Sequence, residues 1–130
     1  MQSSLSWIEW LDRLDRVLQS TCRELSGYAR SGSALSLAAI VRSSRQLRAL
    51  TGELGLLDPE VLGPSTIGEL QAALDELLRP LDALPAEASL PFLDLDRDRE
   101  HDRLVRSIDA ALRDARYAAA SLFLPRRRFA

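Results

Sequence analysis

Residues 103–122, RLVRSIDAALRDARYAAASL, show the pattern from which the fold class follows. Their apolar side chains recur at intervals of three and four, which places them on one stripe of a helix: Leu104 or Val105, Ile108, Leu112, Ala115, Ala119 and Leu122. Arginine and aspartate fall mostly on the other side. The segment therefore predicts an amphipathic helix, beginning near Asp94 or Asp96 and ending at Leu124-Pro125.

Two upstream segments have the same periodicity. The first begins at the capping box Ser6-Trp7-Ile8-Glu9 and ends near Gly27 and Ser31-Gly32-Ser33. The second is capped by Ser33 and ends before Asp58-Pro59, since the residue before proline is pushed out of the α region. Their stripes are Trp7, Leu11, Leu14, Leu18, Thr21 or Cys22, Leu25 and Tyr28, and then Leu37, Ile40 or Val41, Ser44, Leu47, Leu50 or Thr51, and Leu54.

A third upstream helix is predicted to begin at Ser65 or Thr66, where Thr66-Ile67-Gly68-Glu69 is another capping-box match. Its stripe is nearly heptad in spacing: Ile67, Leu70, Leu74, Leu77, Leu81 and Leu84. Pro80 removes one amide and crowds the carbonyl four residues back, so we expect a kink or an early end there. Pro85 to Leu95 is then the longest connection between helices.

Composition supports an all-α, antiparallel bundle of three to four helices. Hydrophobic residues make up 46% of the 130-residue chain and aromatics only 5%, with leucine and alanine dominant. Strands favour β-branched and aromatic side chains, so this mixture favours helices. We expect one domain over residues 1–125 and a mobile basic tail, residues 126–130, whose Arg126, Arg127 and Arg128 are solvated.

Charge and cysteine content narrow the classes of function. The net charge of −2 gives no overall attraction for a polyanion, which argues against a nucleic-acid partner. Cys22 is the single cysteine and has no second ligand at metal-binding spacing. With neither a signal-peptide pattern nor an apolar run of about 20 residues, we expect a cytoplasmic protein without a membrane span.

Catalytic, metal and cofactor sites are not predicted. Asp94-Leu95-Asp96-Arg97-Asp98 resembles the start of a calcium loop, but Arg99 and Val105 stand where an EF-hand needs glycine and glutamate. The acidic run is therefore interpreted as the start of a helix. His101, the single histidine, has no recognised partner spacing and is expected to be a solvated residue of the first turn.

Binding of another protein is the function that the pattern favours. Trp7 and Trp10 are three residues apart, so we expect at least one of them to lie outside a narrow core seam, either closing one end of the bundle or meeting a partner. An incompletely closed bundle has a groove that accepts an amphipathic helix. A homodimer would cover such a surface with a second copy, and a helical small subunit or adaptor of a larger assembly, such as a nucleoprotein complex, is the alternative.

A family resemblance rests on Tyr28-Ala29-Arg30-Ser31-Gly32-Ser33-Ala34-Leu35, followed by Ala38-Ala39-Ile40-Val41 and Arg45-Gln46-Leu47-Arg48-Ala49-Leu50. This passage resembles the helix, short break and helix of FlgN-type flagellar export chaperones, and Leu104-Val105-Arg106-Ser107-Ile108 is similar in position to their closing helix. The resemblance implies a non-enzymatic chaperone that holds the carboxy-terminal helix of a hook-filament junction subunit for type III export. It implies a client-binding face formed by Val105, Ile108, Leu112, Ala115 and Ala119.

Overall fold

The computed structural model describes residues 7–57, 63–88 and 95–121, and within these ranges the secondary structure is helical with no strand. Its helices are α1 (Trp7–Ser31), α2 (Ala34–Gly52), α3 (Pro64–Ala88) and α4 (Leu95–Ser121), with a 3-10 turn (Glu53–Leu56) after α2. Each helix packs against the next one along the chain, and α4 packs back against α1. The prediction of an antiparallel all-α bundle is confirmed.

The break between α1 and α2 is built from two residues. Gly32 has φ 64°, a left-handed conformation that ends α1 without the strain that a Cβ would bring. Ser33 is extended, and its side-chain oxygen accepts hydrogen bonds from the amides of Leu35 and Ser36. The predicted cap of the second helix is therefore confirmed. The predicted capping residue Ser6 and the stop at Asp58-Pro59 lie outside the described residues.

The boundaries of α3 differ from the prediction at both ends. The helix begins at Pro64, before the predicted caps Ser65 and Thr66, because a proline suits the first helical position and Gly63 precedes it at φ 86°. It also continues through Pro80 and Pro85 to Ala88, so the predicted early end is wrong. Burial of Leu81 and Leu84 after the first proline offsets the roughly 3 kcal/mol that an interior proline costs.

Most of the core lies on the stripes that the periodicity predicts; Trp10 and Leu78 are buried in addition, and the stripe residues Trp7, Leu37 and Ile67 are only half-buried. Thr21 is the buried residue of the pair at that position, and Cys22 beside it is half-buried. Ile40 and Leu50 take the buried places in α2. The tail, residues 126–130, and the predicted end at Leu124-Pro125 lie outside the described residues.

Candidate protein-docking groove

The predicted client-binding stripe of α4 lies inside the bundle. Ile108, Leu112 and Ala115 are 0% exposed, Ala119 is 2% exposed and Val105 is half-buried against the core. A partner could contact the four buried side chains only if α4 left the bundle. In the closed fold they pack against α1 and α3, so a docking surface has to be sought elsewhere.

Trp7 and Trp10 both belong to the packed interior of the first helix. Trp10 is fully buried, and its indole Nε1 donates a hydrogen bond of 2.9 Å to the carbonyl oxygen of Leu50 at the far end of α2. Trp7 is half-buried against the core. The expected exposed tryptophan is thus not fully exposed, and the neighbouring Ile8, at 57%, presents apolar surface instead.

A groove with a volume of about 580 Å³ runs between the outer sides of α3 and α4. Its floor consists of small or half-buried side chains, among them Ala83 of α3 and Ser107, Ala110 and Ala111 of α4. Small side chains allow the backbone of an incoming helix to approach closely. A second hollow, of about 400 Å³, shares Ala83, Leu104 and Ser107 and extends the groove toward Glu100 and Arg103. We refer to both together as the α3/α4 groove.

Charges are unevenly distributed along the α3/α4 groove. Glu76 and Asp114 lie at the end formed by the beginning of α3 and the end of α4, while Arg103 lies toward the other end. Arg79 stands between them, 3.6 Å from Glu76. Arg79 offsets the charge of Glu76, so Asp114 is the main acidic feature at that end of the groove.

A smaller hollow of about 310 Å³ lies between α1 and α2, over Val17, Ala49 and Leu50. Its cations are already engaged, since Arg13 is 2.8 Å from Glu53 and Arg16 is 2.8 Å from Asp12. Both pairs are exposed and contribute little to stability. The positive charges of Arg13 and Arg16 are therefore largely neutralised, and the hollow offers little charge to an anionic ligand.

The link between α2 and α3 is a polar cluster at Asp82. Ser44 donates a hydrogen bond of 2.6 Å to one carboxylate oxygen, and Arg48 pairs with the other. Partial burial alone would raise the pKa of Asp82, but the two hydrogen bonds and the charge of Arg48 outweigh it and lower the pKa below its ordinary value. The cluster joins the two helices, and within the described residues the partners of Asp82 are Ser44 and Arg48.

His101 is a packed residue, in contrast to the solvated one expected. The Tyr28 hydroxyl and His101 Nε2 are 3.0 Å apart and hydrogen-bonded, and the rings meet edge to face at 5.6 Å between centroids. Burial raises the pKa of Tyr28 above its ordinary value, which keeps the hydroxyl protonated. We interpret the pair as a structural contact that holds α1 against α4.

Metal ligation and membrane insertion find no support within the described ranges. No group of three or more His, Cys, Asp and Glu side chains there is placed to hold an ion, and none of the helices there has the length and apolarity needed to cross a bilayer. The Asp94–Asp98 run, which resembles a calcium loop, lies outside the residues whose side chains are described. Cys22 contacts Arg116, with Nη1 3.8 Å from Sγ.

Comparison with known proteins adds no assignment: no family model, curated protein or solved structure matches the chain. The FlgN-type resemblance therefore stays a prediction.

The sequence predicts a groove but not its position between α3 and α4, because the prediction rested on the leucine stripes. The signal available was the small residues Ala83, Ser107 and Ala110, which stand off the buried stripes.

Proposed function

We propose that this protein is a non-enzymatic helical module that binds an amphipathic helix of another protein in the α3/α4 groove. One observation carries the proposal: the groove is long, has a floor of small side chains and is lined by charges along its sides. The α4 residues that line the groove run from Glu100 to Asp114. These two residues are 14 positions apart, which is roughly 21 Å at the rise of an α-helix. A partner helix of about four turns fits this length.

The occupant we propose has small apolar residues on the side that enters the groove and a basic residue near one end. Alanine and serine in the floor favour close helix packing over insertion of bulky side chains. Asp114 attracts lysine or arginine at its end of the groove, which favours one direction of the bound helix. An export chaperone that holds the helix of a secreted or flagellar subunit is one protein of this kind.

A site-specific cross-linking experiment tests this function. A photoreactive phenylalanine analogue is placed at Ala110 or Ala83, both exposed in the groove, and at Ala38, an exposed alanine of α2, as the matched control. We expect the two groove positions to give the same discrete adduct in cells of the source organism, and Ala38 to give none. Equal labelling at Ala38, or no adduct at either groove position, refutes the proposal.

A peptide titration provides the defined probe. A labelled helical peptide of about 16 residues, with alanine and leucine on one face and lysine at one end, is compared with a scrambled peptide of the same composition. We expect Ala110→Glu to weaken binding of the patterned peptide at least tenfold, because a carboxylate in the floor must be desolvated. Equal affinity for the scrambled peptide shows that the groove does not recognise a helix.

A further inference from the structure

The outward side of α4 has a pattern that is symmetric about Ala110. Arg106 and Asp114 lie four residues before and after Ala110. Arg103 and Tyr117 lie seven residues before and after it. At 3.6 residues per turn, steps of four and seven keep all five side chains within about 40° of one line along the helix. We call these five residues the α4 outer face; all are exposed, and Tyr117 is 78% accessible.

Helix α4 is electrically balanced, which favours a helix of the same composition as its neighbour over a polyanion. Residues 95–121 contain six arginines and six acidic residues. Arg113 pairs with Asp109 at 2.7 Å, whereas Arg106 and Asp114 form no ion pair within the described part of the chain. One cation and one anion of the α4 outer face are therefore available to a neighbouring molecule.

We propose that the α4 outer face is the interface of a homodimer, in which two α4 helices pack antiparallel about a two-fold axis at Ala110. Such an axis places each residue opposite the one that lies equally far on the other side of Ala110. Arg106 then faces Asp114 of the second copy, and Arg103 faces Tyr117 of the second copy. A parallel pair would instead set each charged residue beside its own counterpart, arginine against arginine.

Every contact of this antiparallel pair joins complementary groups. The guanidinium group of Arg106 meets a carboxylate, and that of Arg103 meets the face of an aromatic ring. The two Ala110 side chains at the axis are small, so the helices can approach closely enough for both contacts to form. Two-fold symmetry makes each of the charged contacts occur twice, which doubles the effect of a single substitution.

The apolar content of the α4 outer face determines how strong the dimer is. Tyr117 is its one large ring, and Ala110 adds little apolar area, so an unrelated amphipathic helix would find no continuous apolar stripe there. The span from Arg103 to Tyr117 is about 21 Å, which makes a contact below the roughly 1,200 Å² of a stable interface. We therefore expect a weak dimer, with a dissociation constant of about 10–100 µM.

The dimer has a consequence for the α3/α4 groove. Arg103, Ala110 and Asp114 belong to both the α4 outer face and the lining of the groove. A second copy therefore covers the α4 side of the groove, and a client helix and a second copy exclude each other. This consequence rests on the function proposed above, whereas the dimer itself does not.

Sedimentation velocity of the full chain tests the proposal, over protein concentrations from about 5 to 500 µM that bracket the expected dissociation constant. Arg106→Asp and Asp114→Arg each set like charges opposite one another at two places and should weaken the dimer about tenfold. The double variant Arg106→Asp/Asp114→Arg exchanges the charges in both copies at once and should restore dimer formation. Tyr117→Ala removes two cation–π contacts and should weaken the dimer by roughly 5- to 30-fold.

The control variant is Arg42→Asp, which makes the same charge change at an exposed arginine of α2. All substituted positions are exposed, and circular dichroism verifies that every variant is folded. The proposal is overturned by any of three results: a monomer at every concentration, an equal loss in the α2 control, or no recovery in the charge-exchanged double variant. Tyr117 does not line the α3/α4 groove, so Tyr117→Ala should leave peptide binding by the monomer unchanged, which separates failure of the dimer from failure of the groove.

Discussion

Ile108 is the position at which the packing of α4 can be tested most directly. Its side chain is 0% exposed at the centre of the α4 stripe. Truncation to alanine removes buried methylene groups and leaves a cavity, so we expect Ile108→Ala to lower the free energy of unfolding by about 2–5 kcal/mol. For 130 residues a loss of 3 kcal/mol corresponds to a fall in Tm of roughly 10 °C.

A carboxylate at the same position has a larger effect. Ile108→Asp loses the apolar burial and places an uncompensated charge in the core, a combined cost of about 5 kcal/mol or more. Domains of this kind have free energies of unfolding of about 5–15 kcal/mol, so we expect this variant to be largely unfolded or close to it. Its circular dichroism at 222 nm should show a large loss of helix.

The matched control is Ala110→Asp, two residues along and exposed. It introduces the same side chain at a cost of at most about 0.7 kcal/mol from helix propensity. Urea denaturation followed by circular dichroism and by tryptophan fluorescence measures all three variants. If Ile108→Asp stays helical with a urea midpoint near that of Ala110→Asp, the stripe faces solvent and the packing of α4 described above is wrong.

Further predictions concern single contacts. Trp10→Phe removes the indole hydrogen bond to Leu50 and some volume, and should lower the free energy of unfolding in urea by about 1–3 kcal/mol. Because the pKa of Asp82 is lowered on folding, its stabilisation is present above the ordinary pKa of an aspartate and is lost as pH falls through the lowered pKa. Asp82→Asn should therefore flatten the decline in stability between pH 5 and 3, by on the order of 0.5 kcal/mol in the free energy of unfolding, as followed by Tm. The raised pKa of Tyr28 acts in the opposite sense, so stability should fall as pH rises above 10, and Tyr28→Phe should remove that dependence in Tm measurements. Gly32→Ala meets open space but a φ of 64°, so a loss of roughly 1–2 kcal/mol from backbone strain alone is expected in thermal unfolding.

The helices and most of the core could be predicted from the sequence because the periodicity of leucine reports burial directly. Leu11, Leu14 and Leu18, for example, are spaced by three and four residues, so they share one face of α1, and all three are buried. Choices between adjacent candidates, such as Thr21 against Cys22, depend on where the neighbouring helix lies. Local sequence carries no information about that position.

The boundaries of α3 were predicted less well, and the reason is energetic. A proline penalises an isolated helix, but Leu81 and Leu84 gain more from the core than Pro80 costs. A rule based on local propensity could not include that gain. The same reasoning applies to His101, whose packed position follows from Tyr28, a residue distant in the sequence.

The candidate site was predicted least well. The α4 stripe was the cleanest of the four predicted stripes, and it proved to be core, because a regular apolar stripe at helical spacing is what a bundle buries. The α3/α4 groove depends on alanines and serines, which carry little hydrophobic signal. Its existence follows only from the relative placement of two helices.

The order of the helices around the bundle determines how quickly the chain can fold. Among the described residues, three of the four main helix–helix interfaces join consecutive helices, so most contacts form between nearby parts of the chain, a topology associated with folding in microseconds to milliseconds. The contact between α1 and α4 is the exception, since Tyr28 and His101 are 73 residues apart. Loop-closure entropy makes this seam costly to form early. Joining the two termini with a flexible linker should therefore accelerate formation of the contact between α1 and α4. Cutting the chain between α2 and α3 should slow folding, because the α1–α2 pair and the α3–α4 pair must then meet in a bimolecular step.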